Sequence, residues 1–197
     1  MKKVISVLLS VIMIALCLTG CSGGTKMSEE NVTKTVEKAF TALTEFDTKA
    51  LNKYVDSSTL STIIIYADKH DQFQKLGEAM FKNLEYKIKK IDLENQTVTV
   101  SVKNKDLYPA AYDFANFLKT NYSTFQLVTK LNNEVFLDTY LNKLSKDIDS
   151  SPDAKGYTDI TLNIMQGKKN LVLSFNDESE NAVSGGSLSA IKSIYSF

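Results

Sequence analysis

Apolar residues recur at three- and four-residue spacing through Val32, Val36, Ala39, Phe40 and Leu43, a stripe that predicts an amphipathic helix. Ser28 stands where an N-cap belongs, Glu29 and Glu30 follow in the first turn, and Met27 is placed to staple against Val32. Phe46 and Asp47 interrupt the pattern, and Asp47 can cap a second, short helix through Ala50, Leu51, Tyr54 and Val55. Asp56, Ser57 and Ser58 offer the next start signal. A third helix then carries Leu60, Ile63, Ile64, Ala67, Phe73, Leu76, Met80 and Leu84, with the polar cluster at 68–72 bending or breaking it.

At Tyr86 the period changes from helical to alternating. Tyr86 and Ile88 on one side of a turn at 92–96, and Val98, Val100 and Val102 on the other, predict an antiparallel hairpin with one buried face. Pro109 opens a second helical block, in which Ala111, Phe114, Phe117 and Leu118 keep helical spacing. After a break near Asn132 and Asn133 it continues through Val135, Phe136, Tyr140 and Leu144 to a loop at 149–152. Ile160, Leu162 and Ile164, a turn at 166–170, and Leu171, Leu173 and Phe175 predict a second hairpin. Residues 177–180 read as an acidic, solvated strand end, and Leu188, Ile191 and Ile194 as a short terminal helix. The fold class that follows is α+β: N-terminal helices packed on a curved antiparallel sheet of two hairpins, in one domain at 28–197 with a helical insertion at about 106–148.

Ahead of this domain stand Lys2 and Lys3, an apolar run at 4–16, and the tetrapeptide Leu18, Thr19, Gly20, Cys21. A short apolar segment with a basic start, closed by small residues before cysteine, is the pattern of a lipoprotein signal rather than of a membrane span. Residues 1–20 are therefore expected to be removed, with Leu18, Thr19 and Gly20 as the cleavage motif and Cys21 as the lipidation site. Two acyl chains, each methylene contributing about 0.8 kcal/mol, would hold the mature chain durably on the extracytoplasmic face of the cell membrane. Residues 21–27 then form a flexible tether.

Composition narrows the chemistry. The chain has 23 basic and 23 acidic residues, and every basic residue is lysine, which argues against a nucleic-acid partner and removes bidentate arginine recognition. Cys17 falls in the signal and Cys21 at its end, so the domain has no thiol for a disulfide. His70, the only histidine, lies in the cluster Asp68, Lys69, His70, Asp71 and reads as a solvated helix break rather than a catalytic base. Asp147, Asp149 and Asp153 lack the glycine and closing glutamate of a calcium loop, and Asp177, Glu178 and Glu180 read as charged surface. No metal, cofactor or catalytic residue is expected.

The lipobox at 18–21, the helical opening at 28–54, the hairpin at 86–102 and the ending at 171–186 together resemble the NTF2-like domains of uncharacterised bacterial lipoproteins. That resemblance implies a cystatin-like cone whose sheet wraps around the opening helices. In such folds an aspartate and tyrosines in the sheet cavity sometimes serve an isomerase or hydrolase, roles for which Asp113, Tyr86, Tyr108 and Tyr112 are the candidates here. Fold analogy alone is no functional warrant. The main expectation is a non-enzymatic module on a lipid anchor, binding a small apolar ligand or a protein partner, with Tyr86, Tyr108 and Tyr112 as candidate ligand contacts. The aromatic run Tyr108, Tyr112, Phe114, Phe117, Tyr122 and Phe125 exceeds what one helix face needs and supplies further pocket candidates, although core burial is its plainer reading.

Overall fold

The computed structural model describes residues 25–195. The cleavage motif Leu18, Thr19, Gly20 and the lipidation site Cys21 lie outside the described residues. Helix α1 (Glu29–Glu45) starts at the expected cap, where Ser28 Oγ accepts the Asn31 amide at 3.3 Å. It buries the stripe around Val36, Phe40 and Leu43. It ends because Phe46 takes the left-handed conformation, φ 48°, and Asp47 then accepts the Lys49 and Ala50 amides at 3.0 Å to start α2 (Thr48–Tyr54).

Two stretches depart from the sequence reading, and a third settles an alternative that it left open. Residues after Tyr54 form a two-residue strand, β1 (Val55–Asp56), too short to display a period of two. The long third helix is two, α3 (Ser58–Ala67) and α4 (Asp71–Phe81), so the polar cluster breaks it rather than bends it. The supposed acidic strand end is helix α8 (Asp177–Val183), in which Asn176 and Ser179 make a reciprocal capping box and the carboxylates of the first turn meet the positive end of the helix dipole.

The sheet runs β1, β5, β4, β3, β2. Strands β2 (Glu85–Asp92), β3 (Thr97–Lys103), β4 (Thr158–Gln166) and β5 (Leu171–Ser174) make an antiparallel meander, and β1 adds to β5 in parallel. The sheet is thus mixed, where an all-antiparallel one was expected. A bulge between Ile88 and Lys90 bends β2. At the β2–β3 turn the backbone amide of Asn95, and after it the Lys90 ammonium, hold the Asp92 carboxyl down to about 2. Val98, Val100, Leu162 and Leu173 point to one face, fully buried against α1 and Phe40. The other face is polar, with Thr99 beside Thr161 at 3.4 Å and Ser101 donating to Asp159.

Between β3 and β4 the insert forms α5 (Tyr108–Asn121), α6 (Thr124–Lys130) and α7 (Glu134–Asp149). A second apolar cluster, Ala79, Leu107, Leu144 and Ile148, docks it onto α4. Asn104, buried at the insert's start, ties this junction together: its side-chain amide donates to the Met80 and Val183 carbonyls at 3.0 and 2.8 Å, while its side-chain oxygen accepts the Lys105 amide at 2.8 Å. Gly185 closes the same junction at φ 58°, where a Cβ would stand 2.2 Å from the Lys105 carbonyl oxygen, so only glycine fits. Helix α9 (Ser187–Ile194) follows and packs along α5.

Candidate functional site: an apolar cleft in the helical insert

Two helical stripes that the sequence displays face one another across a gap. Ala111, Phe114 and Leu118 of α5 share one helix face, and Leu137, Leu141, Leu144 and Ile148 of α7 share another. With Phe73, Leu76 and Met80 of α4 and Ile191 of α9 they enclose a cleft of about 410 Å³. Its lining is almost wholly carbon; Thr124, Ser187 and Tyr195 are its polar side chains. Burial raises the Tyr195 phenol above its usual pKa.

Helix α6, with Leu127 and Val128, and its C-cap Leu131 roof this cleft, yet none of the helix's residues is fully buried. Caps and ring contacts hold it in place. Ser123 and Gln126 form a reciprocal capping box, and the Lys130 ammonium lies 5.1 and 5.2 Å from the Tyr122 and Phe136 ring centres. Phe125, on the outer side of α6, is 78% exposed.

A polar cluster joins the α3–α4 break to the start of α7. His70 Nδ1 lies 2.8 Å from Glu134 Oε1, and the Gln72 amide donates to Glu134 at 3.0 Å and Asp138 at 2.7 Å. The His70 side chain is only 10% exposed, so this residue sits in a helix break as expected but is not solvated. Its ring approaches Phe73, a cleft residue, at 6.3 Å. Glu180 also departs from the surface reading. It is buried, and Ser57 and Thr59 donate to its two oxygens at 2.5 and 2.6 Å, fastening α8 to the start of α3. The carboxylate borders a small hollow of about 60 Å³ that shares Ile63, Met80 and Ile191 with the main cleft.

The candidate ligand contacts fall elsewhere. Tyr86 stacks on Phe40 in the sheet core at 4.6 Å, and burial, then the nearby Glu37 carboxylate, raises its phenol. Tyr108 and Tyr112 are brought together, stacked at 6.0 Å on the outer face of α5, each more than a third exposed. Asp113 is exposed on the same helix, and no contact among the described residues joins it or Tyr112 to Tyr86. Of the aromatic run, Phe114 lines the cleft, while Phe117 and Tyr122 pack with Phe136 and Tyr140. Phe73, Leu76 and Met80 of α4, Leu144 of α7 and Ile191 of α9 stand in the apolar stripes read from the sequence, whereas Leu137, Leu141 and Ile148 do not: the spacing through Val135, Phe136 and Tyr140 follows a neighbouring face of α7, on which Val135 is exposed. Nothing in the spacing said that these stripes face each other. Asp147, Asp149 and Asp177 pair with Lys143, Lys82 and Lys192, and no group of three or more potential metal ligands occurs among the described residues. No described helix is long and apolar enough to cross a membrane. Comparison with protein-family models, with curated proteins and with solved structures gives no match for this chain.

Proposed function

We propose that this protein is a lipid-anchored binding module on the outer face of the cell membrane, non-enzymatic, whose helical insert takes up a small apolar ligand. The observation that carries the reading is the cleft of about 410 Å³ between α4, α5, α7 and α9. Its size falls within the roughly 300–1,000 Å³ of small-molecule sites, and its few polar groups suit orientation more than chemistry. An apolar ligand entering it gains roughly 25 cal/mol for each Å² of apolar surface removed from water. In plan the domain is NTF2-like, which the packing of α1 on one face of the meander supports. The difference from that plan lies in where the space is, because Phe40 and Tyr86 fill the sheet face and the insert provides the cleft instead.

Titration of the mature chain with an environment-sensitive naphthalene dye and with a fluorescent fatty acid checks the cleft. Binding is expected, and Thr124→Trp, placed at an exposed edge of the lining, is expected to weaken it at least tenfold with the circular dichroism unchanged. Equal affinity in both proteins refutes a site in the cleft. The anchor is checked separately by growth with labelled palmitate. The wild type is expected to incorporate label and Cys21→Ala to incorporate none; an unlabelled wild type refutes the anchor and leaves the cleft result standing.

A further inference from the structure

A second cleft, of about 700 Å³, lies where the described chain begins. Three elements meet there: α1 contributes Lys34 and Lys38, the end of α2 contributes Lys53 and Tyr54, and the β4–β5 turn contributes Lys168 and Lys169. No carboxylate lines it, although acidic and basic residues balance over the chain as a whole. Lys34 pairs with Glu30 at 2.5 Å on the exposed side of α1, whereas Lys38, Lys53, Lys168 and Lys169 have no ion-pair partner among the described residues. The ammonium groups of Lys38 and Lys53 stand 5.5 and 5.0 Å from the Tyr54 ring centre. Burial works to raise the Tyr54 phenol, yet these two lysines together outweigh it and the net shift is downward, as an unneutralised positive potential requires. The turn is fixed to α2, because the Asn170 side-chain amide donates to the Lys53 carbonyl at 2.6 Å.

The rim is also where the tether arrives. Thr25 Oγ1 donates to the Lys169 carbonyl at 2.9 Å, and the Asn31 side chain donates to the Lys26 carbonyl at 2.9 Å. Fully extended chain advances no more than about 3.6 Å per residue, so an anchor four residues before Thr25 would have a reach of at most about 14 Å from this rim. An acylated Cys21 would therefore keep the lysines within reach of the lipid headgroups.

We propose that Lys38, Lys53, Lys168 and Lys169 form a phosphate-binding cleft that takes the headgroup phosphates of anionic lipids in the membrane that holds the anchor. The assignment of the ligand to the membrane rests on the lipid-anchored reading above. Its test does not, because it uses the mature chain carrying Cys21→Ser, which cannot be acylated. This protein is expected to co-sediment with vesicles of phosphatidylglycerol and phosphatidylcholine at 50 mM salt, not with phosphatidylcholine alone, and to be released by 300 mM salt as the Debye length shrinks. Lys53→Gln/Lys168→Gln/Lys169→Gln is expected to weaken vesicle binding at least tenfold. The control Lys75→Gln/Lys146→Gln/Lys155→Gln removes the same charge from residues that do not line this cleft, and is expected to change binding less than twofold. Equal losses in both triple variants reduce the effect to net charge and overturn the site. Binding of inorganic phosphate without binding of anionic vesicles overturns the lipid assignment, and so does indifference to both.

Discussion

Exchange of Phe46 for alanine is expected to lower the unfolding free energy by about 3–5 kcal/mol, a large share of the roughly 5–15 kcal/mol typical of a domain. Phe46 ends α1 in a left-handed conformation that a bulky residue seldom adopts, and its ring is fully buried. The ring stacks on Phe81 at 6.0 Å and lies directly over Gly77, where an added Cβ would stand 2.3 Å from it. The end of α1 thus meets α4 with this ring set against Gly77, beside the Gln74 side-chain amide that donates to the Phe46 carbonyl. The alanine variant keeps the backbone strain and loses the packing. Gly77→Ala forces a methyl into the ring and is expected to cost about 1–3 kcal/mol. The two changes should not add, since the methyl occupies part of the space that the ring vacates, and a coupling of about 0.5–3 kcal/mol is expected. Urea denaturation of the four proteins of the cycle measures it, and strictly additive losses would show that the ring and the glycine are not in contact.

Asn104→Leu is expected to cost about 2–4 kcal/mol despite its nearly unchanged shape. The substitution strips hydrogen bonds from the Met80 and Val183 carbonyls and from the Lys105 amide at a buried junction. Asn104→Asp should do no better, because a carboxylate would face two carbonyl oxygens. Denaturation midpoints test the magnitude, and accelerated hydrogen exchange at Lys105 tests the location. A midpoint within error of wild type would mean that the junction does not depend on this side chain.

Helix spacing and capping residues made most of the elements legible. Ser28, Asp47 and Ser57 cap the helices they precede, and the alternation at Val98, Val100 and Val102 marks the buried sheet face. The parallel strand Val55–Asp56 was not legible, because its partner Leu173 is distant in sequence and two residues carry no period. Glu180 misled for a related reason. In the string of acids after Phe175 it resembles its exposed neighbours Asp177 and Glu178, and only the fold supplies Ser57 and Thr59 to satisfy it. The apolar cleft was visible only in part: Phe114 and Leu118 of α5 follow from spacing, but on α7 the apolar positions ran on round the helix, so the spacing led through exposed Val135 and past Leu137 and Leu141, and the pairing of the two helices is a tertiary fact. Tyr108 and Tyr112 attracted notice as aromatic residues, but their helix turns them outward and presents Phe114 to the cleft.

Strands β3 and β4 are neighbours, with Val98 opposite Leu162 and Val100 opposite Ile160, although the whole insert lies between them in the chain. Each hairpin can zip from its own turn, whereas the seam between the hairpins must wait until three helices have brought its two sides within reach. Closing so long an excursion adds only logarithmically to the equilibrium cost, but it retards the search. The segment that walls the apolar cleft is therefore also the one that sets the tempo of assembly. Trimming it to a tight bend would yield a faster-forming meander without the cleft.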